Sequence, residues 1–429
     1  MDQVVVPNAT TADTADTAAG RSVADAPQAA PRGFTAKIAL AEFGLFGALM
    51  PPVLVTMALR IGEVAPATKT SSLSLVLGVG AFFAMIANPL VGRLSDRTTS
   101  RFGQRRPWLV GGVLGGLIGL ALIAFVPSIP VILAGWALTQ TSYNASLATL
   151  QATVPDQVPQ SQRGKVSGAL GVALTLAVVV SLLLASQVPA TVAFLVPAAL
   201  AIVLVGYFAL TLPDKRLAAK PGPFSVRAFA GSFWTNPVKH PDFGWAWLSK
   251  FLVMFGMVAP SSYLAYYLMS DYGVSTEEVA VKTVTLIIVS YLCNAATAAV
   301  SGLLSDRAGA RKPFIIGSSL GIMAGLLVLA FAPNYGVVLL SQVIIGIGGG
   351  MFYAVDMALV TEVLPSQQDA AKDLGVMNIA NALPQSLVPL LATVLLAVGG
   401  GDNYTLFFAV AAAVTLAGAL SVTRIRNTR

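Results

Sequence analysis

Gly92-Arg-Leu-Ser-Asp96-Arg97-Thr-Thr-Ser-Arg101-Phe-Gly103-Gln-Arg105-Arg106-Pro107 and Gly302-Leu-Leu-Ser-Asp306-Arg307-Ala-Gly309-Ala-Arg311-Lys312-Pro313 are two copies of one basic, acid-bearing loop. Asp96 and Asp306 lie 210 residues apart in a chain of 429, and long apolar segments flank each copy. The chain therefore reads as two halves built on one plan.

The apolar segments fix the solvent. Hydrophobic residues make up 56% of the chain and charged residues 10%, far below the roughly 25% charged of a soluble domain. Leu109 to Phe125 carries no charge, and Val166 to Leu184 is almost purely aliphatic. About 20 residues of helix cross a hydrocarbon core of roughly 30 Å and satisfy every backbone amide internally. Twelve such spans are expected, at about 38–60, 72–94, 107–126, 129–153, 166–187, 190–212, 244–270, 282–304, 313–332, 336–361, 374–398 and 404–423. The expected fold class is all-α: a polytopic membrane protein with twelve transmembrane helices in two pseudo-symmetric six-helix bundles.

Five segments follow from this pattern. Residues 1–36, rich in Ala, Thr and Asp with no apolar core, read as a disordered cytoplasmic tail. Residues 37–213 and 244–424 are the two bundles, 214–243 a proline-containing basic linker, and 425–429 the cytoplasmic C-terminus. With both termini inside, 22 of the 26 Lys and Arg fall on the cytoplasmic side, against Arg60, Lys69 and Lys282 outside and Lys250 within a helix. That split follows the positive-inside rule, and it explains the net charge of +7 without a nucleic acid. One Cys and one His leave no disulfide within the chain, no soft-metal cluster and no Ser/His/Asp triad. No cofactor and no enzymatic activity are expected.

The repeat extends beyond the loop. The offset falls from 210 at the aspartates to 206 between Arg106 and Lys312, because the first copy has four more residues between its Asp and its Gly. Asp156-Gln-Val-Pro159 matches Glu362-Val-Leu-Pro365 at the same 206. Over essentially its full length after the tail, the chain resembles the major facilitator superfamily, and both loops look like that superfamily's signature loop. The longer first copy is similar to the sucrose transporters and the wider glycoside-pentoside-hexuronide cation symporters. The resemblance implies a monomeric secondary carrier in the cytoplasmic membrane, whose two bundles rock about a central site lined by the first, fourth, seventh and tenth spans. It also implies that the loops latch the cytoplasmic face. The expected gating residues are Gly92, Asp96, Arg97, Arg101, Gly103, Arg105, Arg106, Asp156 and Arg163 in one half, with Gly302, Asp306, Arg307, Arg311 and Glu362 in the other. Carboxylates beside guanidinium groups form charge-assisted bonds that can be made in one conformation and broken in another.

Coupling chemistry is expected from ionisable residues inside spans, which cost roughly 2.5–3.5 kcal/mol each at a helix centre. They are Glu42 in the first span, Lys250 in the seventh and Asp356 in the tenth. Glu42 and Lys250 are 208 residues apart, close to the repeat offset. Either they pair across the interface, with Asp356 as a competing partner, or they snorkel to the interface. A protonatable carboxylate near an exchangeable cation is a proton-coupling device, although sodium is equally suited to carboxylates and amides.

Asn378, Asn381 and Gln385 recur at helical spacing on one face of the eleventh span. With Tyr143 and Asn144 in the fourth and Tyr263 in the seventh they form the expected substrate surface, the alternative being contacts between helices. Amides and aromatic rings suit a sugar or glycoside. A proton-driven exporter shares the fold, but Gly168-Ala-Leu-Gly171-Val-Ala-Leu-Thr-Leu-Ala-Val-Val-Val-Ser181 lacks the proline of the pattern usual in drug antiporters. A non-transporting sensor would share the fold without needing Glu42 and Asp356 buried.

Overall fold

Twelve helices carry the chain back and forth in a computed structural model that describes residues 30–214, 235–365 and 370–426. They are α1 (Phe34–Val64), α2 (Lys69–Asp96), α3 (Arg106–Phe125), α4 (Ile129–Gln157), α5 (Gln160–Ala185) and α6 (Ala190–Thr211). After the linker come α7, in two segments (Pro241–Ser261 and Leu264–Asp271), α8 (Thr276–Ala308), α9 (Lys312–Ala330), α10 (Tyr335–Glu362), α11 (Ala370–Ala397) and α12 (Tyr404–Val422). The first 29 residues of the expected tail and residues 215–234 of the expected linker lie outside the described residues.

Local chemistry explains where the helices start. Pro107, Pro130, Pro241 and Pro313 stand in the first turns of α3, α4, α7 and α9, where the missing N–H costs nothing. Asn334 and Asn403 cap α10 and α12 by accepting the backbone N–H of Val337 and Leu406. α8 begins six residues before the expected 282, because Glu277 and Glu278 favour a helix N-terminus and Glu278 pairs with Lys282 at 2.8 Å.

Eleven helices among the described residues are long and apolar enough to cross a membrane. α4 is not one of them, despite its 29 residues. It carries Thr139, Gln140, Thr141, Ser142, Asn144, Ser146, Thr149, Gln151 and Thr153, and much of this polar load is bonded within the protein. Ser146, for example, donates to the Leu109 carbonyl of α3, and the Thr139 and Thr149 hydroxyls donate back to their own helix.

The pairing pattern is duplicated. α1 packs on α5 and α6, α4 on α2 and α3, and α3 on α6; α7 packs on α11 and α12, α10 on α8 and α9, and α9 on α12. Small residues let these backbones approach. A side chain at Gly119 would overlap Thr139 and the Gly135 carbonyl of α4, and one at its repeat mate Gly325 would overlap Ile345 of α10. The glycine cluster of α10 is divided by direction: Gly346 and Gly350 lie against α8, Gly348 against α9.

The bundles meet along α2 against α11 and along α5 against α8, two contacts that the pseudo-symmetry interchanges. At the first, a Cβ on Gly78 would lie 3.2 Å from the Ser386 carbonyl and from Leu390. That approach is in the half of α2 remote from the signature loop. The side of the molecule bearing Asp96 and Arg105 is called here the loop face, and the opposite side the far face.

Candidate functional site

At the loop face, Arg105 is the hub of the first signature loop. Its guanidinium donates to Asp156 at the end of α4 (3.0 and 2.8 Å) and to the Ser95 hydroxyl at the end of α2 (2.6 Å), and it pairs with Asp96 at 2.5 Å. Arg105 is buried, whereas Asp96 is half exposed. Burial pulls the guanidinium pKa down, but attraction and hydrogen bonding from Asp156 and Asp96 outweigh it, so Arg105 is held above its ordinary value.

The second loop repeats the motif with longer distances to the corresponding serine and acid. Arg311, the repeat mate of Arg105, donates to Ser305 (2.9 Å) and to Glu362 at the end of α10 (3.4 Å). Arg106 donates to the Leu212 carbonyl at the end of α6 (2.6 Å), and its mate Lys312 donates to the Ile425 carbonyl beyond α12 (2.7 Å). Each bundle thus ties its second, third, fourth and sixth helices at one corner through a Ser, a basic pair and an acid.

The other expected gating residues take separate places. Gly92 has open space beside it, and Gly302 meets only Ala354 at 3.9 Å. Arg101 lies over the Phe102 ring at 4.7 Å, and Arg163 caps α4 by donating to the Val158 and Pro155 carbonyls. Arg97 follows the end of α2, and Arg307 is exposed in the last turn of α8. The expectation for Asp306 concerns a side chain outside those described.

The glycine common to both loops sits in a socket in the first copy. Gly103 has φ +108° and faces Asp214, three residues past the end of α6; any side chain there would collide with the carboxylate. Asp214 Oδ2 accepts the backbone N–H groups of Arg105 (2.8 Å) and Arg106 (2.9 Å), capping α3 from across the bundle. Gly309 of the second copy has φ +58° and open space beside it. Ser95, Ser305 and Asp214 were outside the expected site; the serines stand in both loop copies, and their recurrence was the available signal.

Deeper in the C-terminal bundle, Lys250 of α7 and Asp356 of α10 form a buried ion pair at 2.6 Å. This resolves the choice left by the sequence: the competing partner holds Lys250, and Glu42 does not. Glu42 is 4% exposed, and its Oε2 has no hydrogen-bond partner. The repeat mate of Asp356 at the 206 offset is Leu150, so the N-terminal bundle has an acid on α1 and nothing ionisable opposite it on α4.

α1 and α7 are both interrupted, at matching depth. α1 passes through a wide turn at Pro52–Thr56, and α7 breaks between Ser261 and Leu264, just after Pro260. Pro52 and Pro260 are 208 residues apart, the separation of Glu42 and Lys250. Proline removes a helix hydrogen bond and crowds the preceding turn, which accounts for both interruptions.

The break in α7 aims two tyrosines at the other bundle. Tyr263 lies 2.7 Å from the Ser74 hydroxyl of α2 and 3.3 Å from the Pro389 carbonyl of α11. Tyr266 donates to the Ala58 carbonyl of α1 at 2.6 Å, and the Lys69 ammonium lies over its ring at 5.3 Å. These contacts join the bundles at the far face. Tyr263, expected on a substrate surface, is fully buried in this seal. Tyr143 is fully buried against Gly116 of α3, and Asn144 donates to Gln140 of its own helix. Asn378 and Gln385 are exposed and Asn381 half-buried, Gln385 lying 3.4 Å from the Asn381 carbonyl.

A family model described as the Major Facilitator Superfamily matches residues 34–291 and, again, 246–428. The chain belongs to the Major Facilitator Superfamily. Its family and its long apolar helices make it a multi-pass membrane protein of a transporter superfamily. Similar folds include the crystal structure of the nucleoside transporter NupG (TM-score 0.71, 14% identity, 91% of this chain and 98% of that one). Another is a D-xylose-proton symporter (TM-score 0.68, 17% identity, 92% and 98%). Short stretches of this superfamily member are similar to curated proteins: 51% identity over 39 residues with an uncharacterized symporter of Synechocystis sp., and 44% over 50 residues with the human Proton-associated sugar transporter A. Those stretches make up 9% and 12% of the chain, and each spans 7% of the relative's length.

Proposed function

We propose that the transporter is a proton-coupled symporter for a small polar solute, a sugar or glycoside, in the cytoplasmic membrane, with the loop face and both termini in the cytoplasm. The observation that carries the coupling is the buried Lys250–Asp356 pair at 2.6 Å, with Glu42 unpaired at the matching depth of the other bundle. The resemblance of short stretches to a symporter and to a proton-associated sugar transporter supports the substrate class.

A proton arriving at Asp356 cancels its attraction for Lys250 and leaves a mobile ammonium on α7. Glu42 then offers the alternative carboxylate. A buried carboxyl oxygen without a donor is tolerable in the neutral acid and costly in the anion, so Glu42 ionises as a cation approaches. Exchange of Lys250 between Asp356 and Glu42 biases α7 against α1 and α10, the helices that line the cavity in the superfamily plan. One charge moving through 100 mV is worth about 2.3 kcal/mol, enough for about 50-fold accumulation at about 1.4 kcal/mol per tenfold. Asn378, Asn381 and Gln385 provide amides on one face of α11 for solute hydroxyls. The far-face seal and the Arg105 and Arg311 corners are the gates.

The test is uptake of labelled sugars and glycosides into proteoliposomes under an imposed pH gradient. The expected result is accumulation in wild type, abolished by a protonophore, and exchange without accumulation in Asp356→Asn and Glu42→Gln. Full accumulation by both variants would place the proton site elsewhere, and accumulation that follows a sodium gradient alone would change the ion.

A further inference from the structure

The far face carries a cavity of about 440 Å³ that the coupling chemistry does not use. One wall is residues 66–71, the turn after α1 and the start of α2. The other is Thr393, Leu396 and Ala397 at the end of α11, with Gly400, Gly401 and Asp402 beyond it. The walls belong to different bundles.

The lining is of mixed character. Thr68, Thr70, Ser71 and Thr393 carry hydroxyls, Lys69 and Asp402 bring opposite charges, and Leu396 and Ala397 are apolar. Asp402 has φ +55°, the one non-glycine residue with positive φ among those described, and follows three glycines that also have positive φ. That left-handed run curls the loop back to close the wall.

The lining residues Thr70 and Thr393 connect the cavity to the far-face seal one helical turn away. The Ser74 hydroxyl donates to the Thr70 carbonyl (2.8 Å) and lies 2.7 Å from Tyr263. Tyr263 reaches the Pro389 carbonyl, which also accepts from Thr393 at 3.4 Å. A chain of hydroxyl and carbonyl groups thus runs from one wall to the other through the seal.

We propose that this cavity is an external binding site for a small neutral polyhydroxylated solute, and that its occupancy holds the carrier closed at the far face. Hydroxyls both donate and accept, so such a solute can serve the ammonium, the carboxylate and the four hydroxyls together while its C–H face lies on Leu396 and Ala397. A ligand of net charge meets one opposing group and one repelling group. The walls are together only while α2 and α11 are, so a ligand that touches both binds one conformation and shifts the population toward it. The inference rests on the lining and stands whatever solute is transported.

The test uses purified full-length carrier in which Cys293→Ala removes the only thiol and Ser71→Cys introduces a reporter in the cavity. Alkylation by a membrane-impermeant maleimide is followed in xylitol, sorbitol or myo-inositol, and in glycine betaine at matched osmolality. A polyol at about ten times its Kd leaves roughly a tenth of cavities open, so labelling slows about tenfold. Asp402→Asn abolishes that protection without changing labelling of the free protein. A second thiol, from Ser74→Cys in the seal, becomes protected by the same polyols if occupancy holds the face closed. Absence of protection by every polyol, or equal protection by glycine betaine, overturns the site; protection at residue 71 with none at 74 overturns the locking.

Discussion

Gly103 and Asp214 are complementary: the first has no side chain at the point where the second places its carboxylate. The relationship joins the signature loop to the beginning of the linker. Asp214 holds two N–H groups at the start of α3 and so positions Arg105, the hub of the loop-face corner. Gly103→Ala meets both a backbone that disfavours a side chain and the Asp214 oxygen, at a cost of about 1–3 kcal/mol for the strain alone. Asp214→Ala in the same chain is expected to relieve only the steric part. Unfolding temperatures of the two single variants and the double one check this, and strictly additive losses would contradict it.

Arg105 is expected to resist even conservative replacement. Lysine keeps the charge but cannot serve Asp156, Asp96 and Ser95 from one planar fork. Arg105→Lys should slow transport by about tenfold or more, with Arg311→Lys milder because its bond to Glu362 is longer, 3.4 Å against 2.8 Å. Initial uptake rates at saturating solute measure the difference.

Removing one member of the buried pair should damage stability, whereas removing both should damage only transport. Asp356→Val leaves the Lys250 ammonium buried without its partner, a loss of about 3–5 kcal/mol. Lys250→Met combined with Asp356→Val replaces the pair by apolar side chains, so thermal stability in detergent should return to near that of wild type while proton-driven accumulation stays absent. A double variant as unstable as the single one would show that the pair is needed for folding.

Tyr263→Phe removes the hydroxyl beside Ser74 and Pro389 and keeps the ring packed on Phe407, whose centroid is 5.4 Å away. One hydrogen bond is worth about 1 kcal/mol, roughly a fivefold shift toward the far-face-open form. Faster labelling of a thiol from Ser386→Cys, buried where α11 meets α2, in the Cys293→Ala background, reports that shift.

Much of the architecture was legible in the chain because lipid imposes simple rules. Apolar length marks a span, and all twelve expected spans overlie helices. The ends were less legible: helices run past the apolar core where Glu277, Glu278, Asn334 and the N-terminal prolines sustain them in polar surroundings. Repeat arithmetic placed Glu42 and Lys250 at one depth and matched Asp156 with Glu362. It had no means of choosing a partner for Lys250, since depth along a helix leaves rotation and the distance between helices undetermined.

By itself, then, the sequence determined the membrane, the two halves, their register and the identity of the few charges that must be buried, because each of these follows from composition and spacing along one dimension. The tertiary structure alone decided which carboxylate Lys250 meets, that Arg105 rather than Asp96 is the centre of the loop, and that Tyr263 and Tyr266 close the far face. It also brought Asp214 back to Gly103 across 111 residues of chain. Those outcomes depend on how helices rotate and where Pro52 and Pro260 interrupt them, and side-chain packing between distant segments sets both.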